Sequence, residues 1–92
     1  MGHKENIQQL ISKMATEVLA FIREEESKYK DRWVPAAHIK NSLALSFVAV
    51  PKGNKQYGEK GWLFAIIARI LEDENRIEYR KAGSRAFCRS SE

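Results

Sequence analysis

The chain has 92 residues, of which 43% are hydrophobic and 30% are charged, and its formal net charge is +4. This size suits one small domain over residues 1–92 and leaves no length for a second core. No apolar run is long enough to span a bilayer, and the polar start MGHKEN lacks the pattern of a secretion signal. We therefore expect a soluble, cytoplasmic protein, with residues 1–5 as a disordered tail or expression remnant and residues 90–92 as a second disordered tail.

The sequence offers little for catalysis or metal binding. Cys88 is the single cysteine, and with only His3 and His38 beside it no spacing is typical of a metal site. The acidic residues cluster as EEE at 24–26 and EDE at 72–74, which indicates solvated helix ends rather than a pocket. Cys88 is expected to be a buried, inert thiol, and His38 an ordinary surface histidine. The sequence thus predicts no enzyme, no cofactor and no small-molecule ligand.

A long first helix is predicted from Asn6 to about Lys30. Apolar residues recur there at intervals of three and four, the period of one helical face. Asn6 and Gln9 have the spacing of a capping box. The apolar face comprises Ile7, Leu10, Ile11, Met14, Val18, Phe21 and Ile22.

A short extended piece and a second helix follow. The residues before Pro35 are pushed out of the helical region, so Arg32 to Val34 should be extended, and Pro35 suits the first turn of a helix. Trp33 is interpreted as a lid on the core rather than as a ring on which a ligand stacks. The inward stripe of the second helix is Ala36, Ile39 and Leu43, while His38, Lys40 and Asn41 point elsewhere.

Leu45–Val50 is apolar and could be a strand or an extended loop. It leads into PKGNKQYGEKG at 51–61, a glycine-rich basic loop. The GxxxxGK[ST] spacing is absent, which argues against a mononucleotide site. Tyr57 could stack on a nucleic acid, contact a phosphate or be an ordinary loop residue.

Residues Glu59–Glu74 are predicted to form a third helix, apolar almost all the way round from Trp62 to Leu71 and hence largely buried. Asn75 is a candidate left-handed cap that ends it. The most consistent inward stripe is Leu63, Ile67, Ile70 and Leu71, which leaves Lys60, Ala65, Ala68, Arg69 and Glu72 on the wetter side.

The C-terminal stretch RIEYRKAGSRAFCR alternates like a β-hairpin and is rich in arginine. A turn centred on Ala82-Gly83 would pair Arg80 with Arg85 and gather both with Lys81 at the tip. Like charges facing each other destabilise a hairpin, and an anion between them would remove that cost. The same register pairs Tyr79 with Ala86, Glu78 with Phe87 and Ile77 with Cys88, with Ile77, Tyr79, Ala86 and Cys88 facing inward.

This order of elements, with the Trp33-Val34-Pro35 entry, the apolar helix Trp62 to Leu71 and the phrase EDENRIEYRKAGSRAFCR, resembles the winged helix-turn-helix superfamily over residues 7–89. The implied fold class is α+β, a small winged-helix domain of three helices with a C-terminal two-stranded hairpin wing. The resemblance implies binding to double-stranded DNA, as in a transcriptional regulator, with the third helix at the major groove and the wing along the backbone.

The candidate nucleic-acid-binding residues are basic side chains of the loop, the third helix and the hairpin. The third helix offers little for reading base edges, so backbone contacts should dominate. Convergent cations would make four to six phosphate contacts and a steep salt dependence. The alternative is a winged-helix protein-interaction or dimerisation module, with a homodimer formed through the first helix. The candidate residues are Lys52, Lys55, Lys60, Arg69, Arg80, Lys81 and Arg85.

Overall fold

A computed structural model of the chain describes residues 2–45 and 62–91. A short 3₁₀ turn, Glu26–Lys28, and a tight turn at Lys30–Arg32 with non-helical backbone link the first helix to the first strand. The elements are α1 (His3–Glu25), β1 (Val34–Pro35), α2 (Ala36–Ser42), α3 (Trp62–Asp73), β2 (Ile77–Ala82) and β3 (Arg85–Ser90). The strands form one antiparallel sheet in the order β1-β3-β2. The described residues thus form a small α+β domain.

The calls on residues 46–61 lie outside the described residues. They are the strand or loop at 46–50, the basic loop at 51–61, the start of the third helix, and Lys52, Lys55, Tyr57 and Lys60. None of the described helices combines the length and the apolar character needed to cross a membrane.

Within the described residues the sheet has three strands, where the sequence indicated a two-stranded hairpin. Val34 pairs with Cys88 and Pro35 with Phe87. Proline favours extended backbone in the residue before it, which lets Val34 join the edge of β3. A strand of two residues is too short to show alternation of polar and apolar residues in the sequence, so it is recognised only by its pairing with β3.

Helix α1 begins and ends earlier than expected. The Gly2 N–H donates to Oε1 of Glu5 at 3.0 Å, and the Asn6 N–H donates to the Gly2 carbonyl at 3.3 Å. The cap at Asn6 was therefore wrong. The helix ends at Glu25 rather than near Lys30. The backbone is extended at Tyr29, with φ −124° and ψ 152°, and left-handed at Asp31 and Arg32, with φ 56° and 65°, so a right-handed helix cannot run through to Lys30.

In the described part of the chain, one hydrophobic core lies between helices α1, α2 and α3 and one face of the sheet. Helix α1 contributes to it only from its second half, beginning at Ala15. In α3, Ile67 and Leu71 are buried as expected, Leu63 and Ile70 are half-buried, and Ala68 is buried rather than wet. The core comprises Ala15, Val18, Leu19, Ile22, Val34, Ala36, Ile39, Phe64, Ile67, Ala68, Leu71, Ile77 and Cys88.

The end of α3 confirms the predicted left-handed cap. Asn75 has φ 60°. Its N–H donates to the Glu72 carbonyl at 2.9 Å, and the Arg76 N–H donates to the Leu71 carbonyl at 2.8 Å. This pair of bonds is a Schellman motif, which satisfies carbonyls at the helix end and turns the chain into β2.

The hairpin is present, but its register differs from the predicted one by two residues. Ala82 pairs with Arg85, Arg80 with Phe87 and Tyr79 with Cys88. The two-residue loop is Gly83-Ser84, and Gly83 supplies the positive φ of 64° that a tight turn requires. Arg80 and Arg85 are therefore not directly opposite, and the expected repulsion across the pair is absent.

Candidate nucleic-acid interface

The faces of the sheet decide where its basic residues lie. Side chains alternate along a strand, and every buried strand residue belongs to one face, which packs against the helices and is called the inner face here. The buried members are Val34, Ile77, Cys88 and Ser90. A shift of two residues preserves the faces, so Ile77, Tyr79, Ala86 and Cys88 share the inner face as predicted. Tyr79, near the hairpin tip, is nevertheless 41% exposed.

The same alternation separates the three basic residues expected to cluster at the wing tip. Arg80 and Arg85 lie on the opposite, outer face, with Phe87 and Arg89. Lys81 lies on the inner face, beyond the part that the helices cover, and is exposed. The three cations that were expected to gather at the tip therefore do not share one face, because adjacent residues of a strand point to opposite sides.

Lys81 instead joins cations of two helices. A groove of about 580 Å³ is lined by Lys40 of α2, Arg69 of α3 and Lys81 of β2, together with Tyr79 and Glu72. This is called the basic groove below. Arg69 lies 3.4 Å from Asp73 in an exposed ion pair, which leaves its side chain 74% accessible and contributes little stability. Lys40 was not a candidate, because its approach to α3 and β2 depends on how the helices pack.

On the outer face, arginines stack on Trp33. The Arg89 guanidinium lies 4.2 Å from the centre of the Trp33 ring, and the Arg80 guanidinium lies 5.4 Å from it. Arg89 also donates to Glu78 at 2.7 Å and to the Asp31 carbonyl at 2.9 Å. Trp33 is thus part of a cation–π cluster on the sheet and not a lid on the core. Arg89 escaped the sequence prediction because its partner Asp31 is 58 positions away in the chain.

The sequence indicated that the acidic run at 24–26 is solvated, but Glu26 is engaged in hydrogen bonds within the protein. Both carboxylate oxygens of Glu26 accept hydrogen bonds at 2.9 Å, Oε2 from the Ser90 N–H and Oε1 from the Ser90 hydroxyl and Arg32. Burial raises the pKa of Glu26, but these hydrogen bonds outweigh it and hold the pKa below its ordinary value. The carboxylate thereby ties the end of α1 to the end of β3.

Glu25 pairs with His38, which is half-buried rather than an ordinary surface histidine. The Nε2 atom of His38 lies 2.8 Å from Oε1 of Glu25, and the rings of Phe21 and Tyr29 lie within 6 Å of the imidazole at 5.7 and 5.9 Å. The hydrogen bond to His38, followed by the one from Lys28, lowers the pKa of Glu25. This pair joins α1 to α2 and accounts for His38 by a structural role.

Cys88 is fully buried on the inner face, in agreement with the prediction of an inert thiol. Burial, with a smaller contribution from Glu72, raises the pKa of the thiol to about 12, so the reactive thiolate is scarce at neutral pH. Within residues 2–45 and 62–91, no group of three or more His, Cys, Asp or Glu side chains could hold a metal ion.

Comparisons with known proteins give no family for the chain. No protein-family model matches it, and neither the curated proteins nor the solved structures contain a match.

Proposed function

We propose that the chain is a winged-helix domain that binds double-stranded DNA through the phosphate backbone. The element order α1-β1-α2-α3-β2-β3, with β1 paired to β3 and a hairpin after the third helix, supports the fold assignment. The observation that carries the functional proposal is the basic groove, because Lys40, Arg69 and Lys81 reach it from three different elements. Among the described residues, Glu72 is the single acidic side chain that lines it.

The groove suits a phosphate backbone better than a base edge. Two of its lining residues on α3, Ala65 and Ala68, have side chains without hydrogen-bonding groups. Arg69 is the one side chain of α3 in the groove whose donors are of the type that reads base edges. Cations on separate elements can approach successive phosphates of one strand, which positions a duplex without reading its sequence. The proposed binding is therefore general for duplex DNA, and the proposed role is in chromosome or transcription regulation.

A titration of an arbitrary DNA duplex at several salt concentrations tests this proposal. Three phosphate contacts predict that log K falls against log salt with a slope of about −3. In the double variant Lys40→Ala with Lys81→Ala, the slope should flatten by about 2, because each removed cation releases about one counterion fewer. Affinity at low salt should fall in parallel.

A matched control separates the groove from net charge. Lys4→Ala with Lys28→Ala removes the same charge from exposed positions of α1 and the turn after it, away from the groove, and should leave the slope as in the wild type. Absence of duplex binding at low salt, or equal slopes for the two double variants, would contradict the proposal.

A second candidate function, self-association through α1, is favoured by exposed apolar side chains. Ile7, Leu10 and Met14 are 54%, 59% and 38% exposed in the first half of the helix. With Ile11, Val18, Leu43, Leu45 and Ile67 they line an almost wholly apolar groove of about 710 Å³. Surface of this kind marks an interaction site. Lys13 and Glu17 also line it, so a second copy related by a two-fold axis offers the opposite charge to each.

The dimer is tested by sedimentation velocity on the wild type and on Leu10→Glu. We expect a wild-type dimer and a folded monomeric variant, because a buried unpaired carboxylate opposes association. Gln9→Glu, at the neighbouring exposed position, should remain dimeric. A wild type that is monomeric at the highest soluble concentration would contradict the dimer. Unfolding of Leu10→Glu would likewise contradict the dimer, because it would show that the apolar side chains around Leu10 are covered within a single chain.

A further inference from the structure

The outer face of the sheet is a second candidate binding surface, distinct from the basic groove. None of its strand residues is buried, so the described helices leave this face uncovered. It combines aromatic and cationic side chains: Trp33 beside β1, Phe87 and Arg85 on β3, and Arg80 on β2. Lys81 and the groove lie on the other side of the same hairpin, so the two surfaces can be altered separately.

A pocket of about 400 Å³ lies at the β1 edge of this face. Three aromatic residues, Tyr29, Trp33 and Phe87, line it together with Pro35. Lys30 and Arg80 bring positive charge to the same pocket, and Asp31 brings one carboxylate. Its volume lies within the range of small-ligand sites and is sufficient for a single planar ring system with an attached phosphate.

The backbone at the edge of the pocket is strained. Asp31 and Arg32 are consecutive non-glycine residues with positive φ, a conformation that other interactions must hold in place and that clusters at functional sites. The Arg89 guanidinium supplies one such interaction, since it donates to the Asp31 carbonyl while it covers the Trp33 ring. Arg89 therefore positions the pocket, whereas Arg80, which is exposed and makes the longer cation–π contact, remains accessible to a ligand.

The composition of the pocket selects the class of ligand. Aromatic rings with arginine are the recurrent means of holding unpaired bases, since each base stacks on a ring while cations contact the adjoining phosphates. A quaternary ammonium would suit the rings but would be repelled by Lys30 and Arg80. An intact duplex keeps its bases stacked inside, out of reach of such a pocket. An unpaired nucleotide satisfies the rings and the charges together.

We propose that the outer face binds single-stranded nucleic acid, with one unpaired base in the pocket formed by Tyr29, Trp33 and Phe87 and the flanking phosphates on Arg80 and Arg85. This site does not require the basic groove. Together the two would let one domain hold a duplex on one side of the hairpin and an unpaired strand on the other.

The test uses the fluorescence of Trp33. Trp62 is the other tryptophan of the chain, so Trp62→Phe leaves Trp33 as the only one and serves as the reference protein. Oligothymidylate and oligouridylate of about ten nucleotides cover the length of one stacking platform. We expect each oligomer to quench the fluorescence of Trp33 in a saturable manner. The oligomer that binds with the higher affinity identifies DNA or RNA as the source of the base.

Two variants of the reference protein locate the site. Phe87→Leu keeps the apolar bulk and removes a stacking face, and Arg80→Gln removes one exposed cation; each should weaken single-strand binding by about tenfold. Lys81→Gln should leave single-strand affinity unchanged and weaken duplex binding. Thermal unfolding curves confirm that each variant is folded.

Binding of the oligomers without quenching of Trp33 would overturn the proposal. So would a folded Arg80→Gln variant with unchanged affinity, or a complete absence of single-strand binding. Duplex affinity and single-strand affinity are both measured for Lys81→Gln in the same series. Failure of the duplex proposal and failure of the single-strand proposal therefore give different results.

Discussion

Replacing Leu71 by alanine is expected to lower the free energy of unfolding by about 3 to 4 kcal/mol. The Leu71 side chain has no exposed surface and lies where α3 meets the core. Deleting a buried leucine costs the transfer free energy of the lost atoms and leaves a cavity that neighbours fill only in part. For a domain of this size, whose total stability is about 5 to 14 kcal/mol, this is a large fraction.

Ile66 provides the matched control, since it is a large aliphatic residue on the same helix and is 48% exposed. Ile66→Ala should cost less than about 1 kcal/mol, as expected for a surface substitution. Urea denaturation followed by circular dichroism gives both values with one protocol. Equal losses for the two variants would contradict the orientation of α3.

Replacing Glu26 by alanine is expected to cost about 3 kcal/mol. The substitution removes the acceptor of three hydrogen bonds and leaves the Ser90 N–H and O–H donors without it, at a residue that is only 2% exposed. A buried donor without a partner costs about 1 to 3 kcal/mol. Glu24, exposed on the last turn of α1, is the control, and Glu24→Ala should change the free energy of unfolding by less than about 0.5 kcal/mol.

The same carboxylate predicts a pH dependence. The pKa of Glu26 in the folded protein lies below the ordinary value of 4.5 that it has in the unfolded chain. Between the two values the unfolded chain binds more protons, so this contribution is complete above about 4.5 and is lost as the pH falls through the folded pKa. Urea midpoints measured from pH 7 to 3 should therefore fall less steeply for Glu26→Gln than for the wild type. Parallel curves, or a wild-type stability for Glu26→Ala, would show that the contacts to Ser90 contribute little.

The basic residues of the arginine-rich C-terminus are divided between two surfaces, the basic groove and the outer face of the sheet. The sequence predicted that Arg80, Lys81 and Arg85 gather at the hairpin tip, whereas the strand pairing places Arg80 and Arg85 on the outer face and Lys81 in the basic groove. Arg89 is engaged with Glu78, Asp31 and Trp33, so a share of the basic character serves the fold. Positive charge in a segment therefore favours a surface that binds a polyanion, while the pleat of the strand decides which cations share one face.

Local signals in the sequence determined the presence of the three described helices and of the hairpin, and they located the end of α3 at Asn75. The three-and-four spacing of α1, the inward pair Ala36 and Ile39, the left-handed Asn75 and the alternation around Cys88 all depend on residues a few positions apart. Hydrogen bonding and burial within one element follow from such spacing, so these features could be predicted from the chain alone.

Only the tertiary structure decided the features that join distant parts of the chain. The pairing of β1 with β3, the clamp of Glu26 on Ser90, the stack of Arg89 on Trp33 and the approach of Lys40 to Lys81 each link residues far apart in sequence. Helix α3 is apolar on nearly every side, so its buried face was settled by its neighbours and not by its own pattern. The physical reason is common to all of these features. The periodicity of a segment shows which of its residues lie on one face, but packing across the whole domain decides which element covers that face.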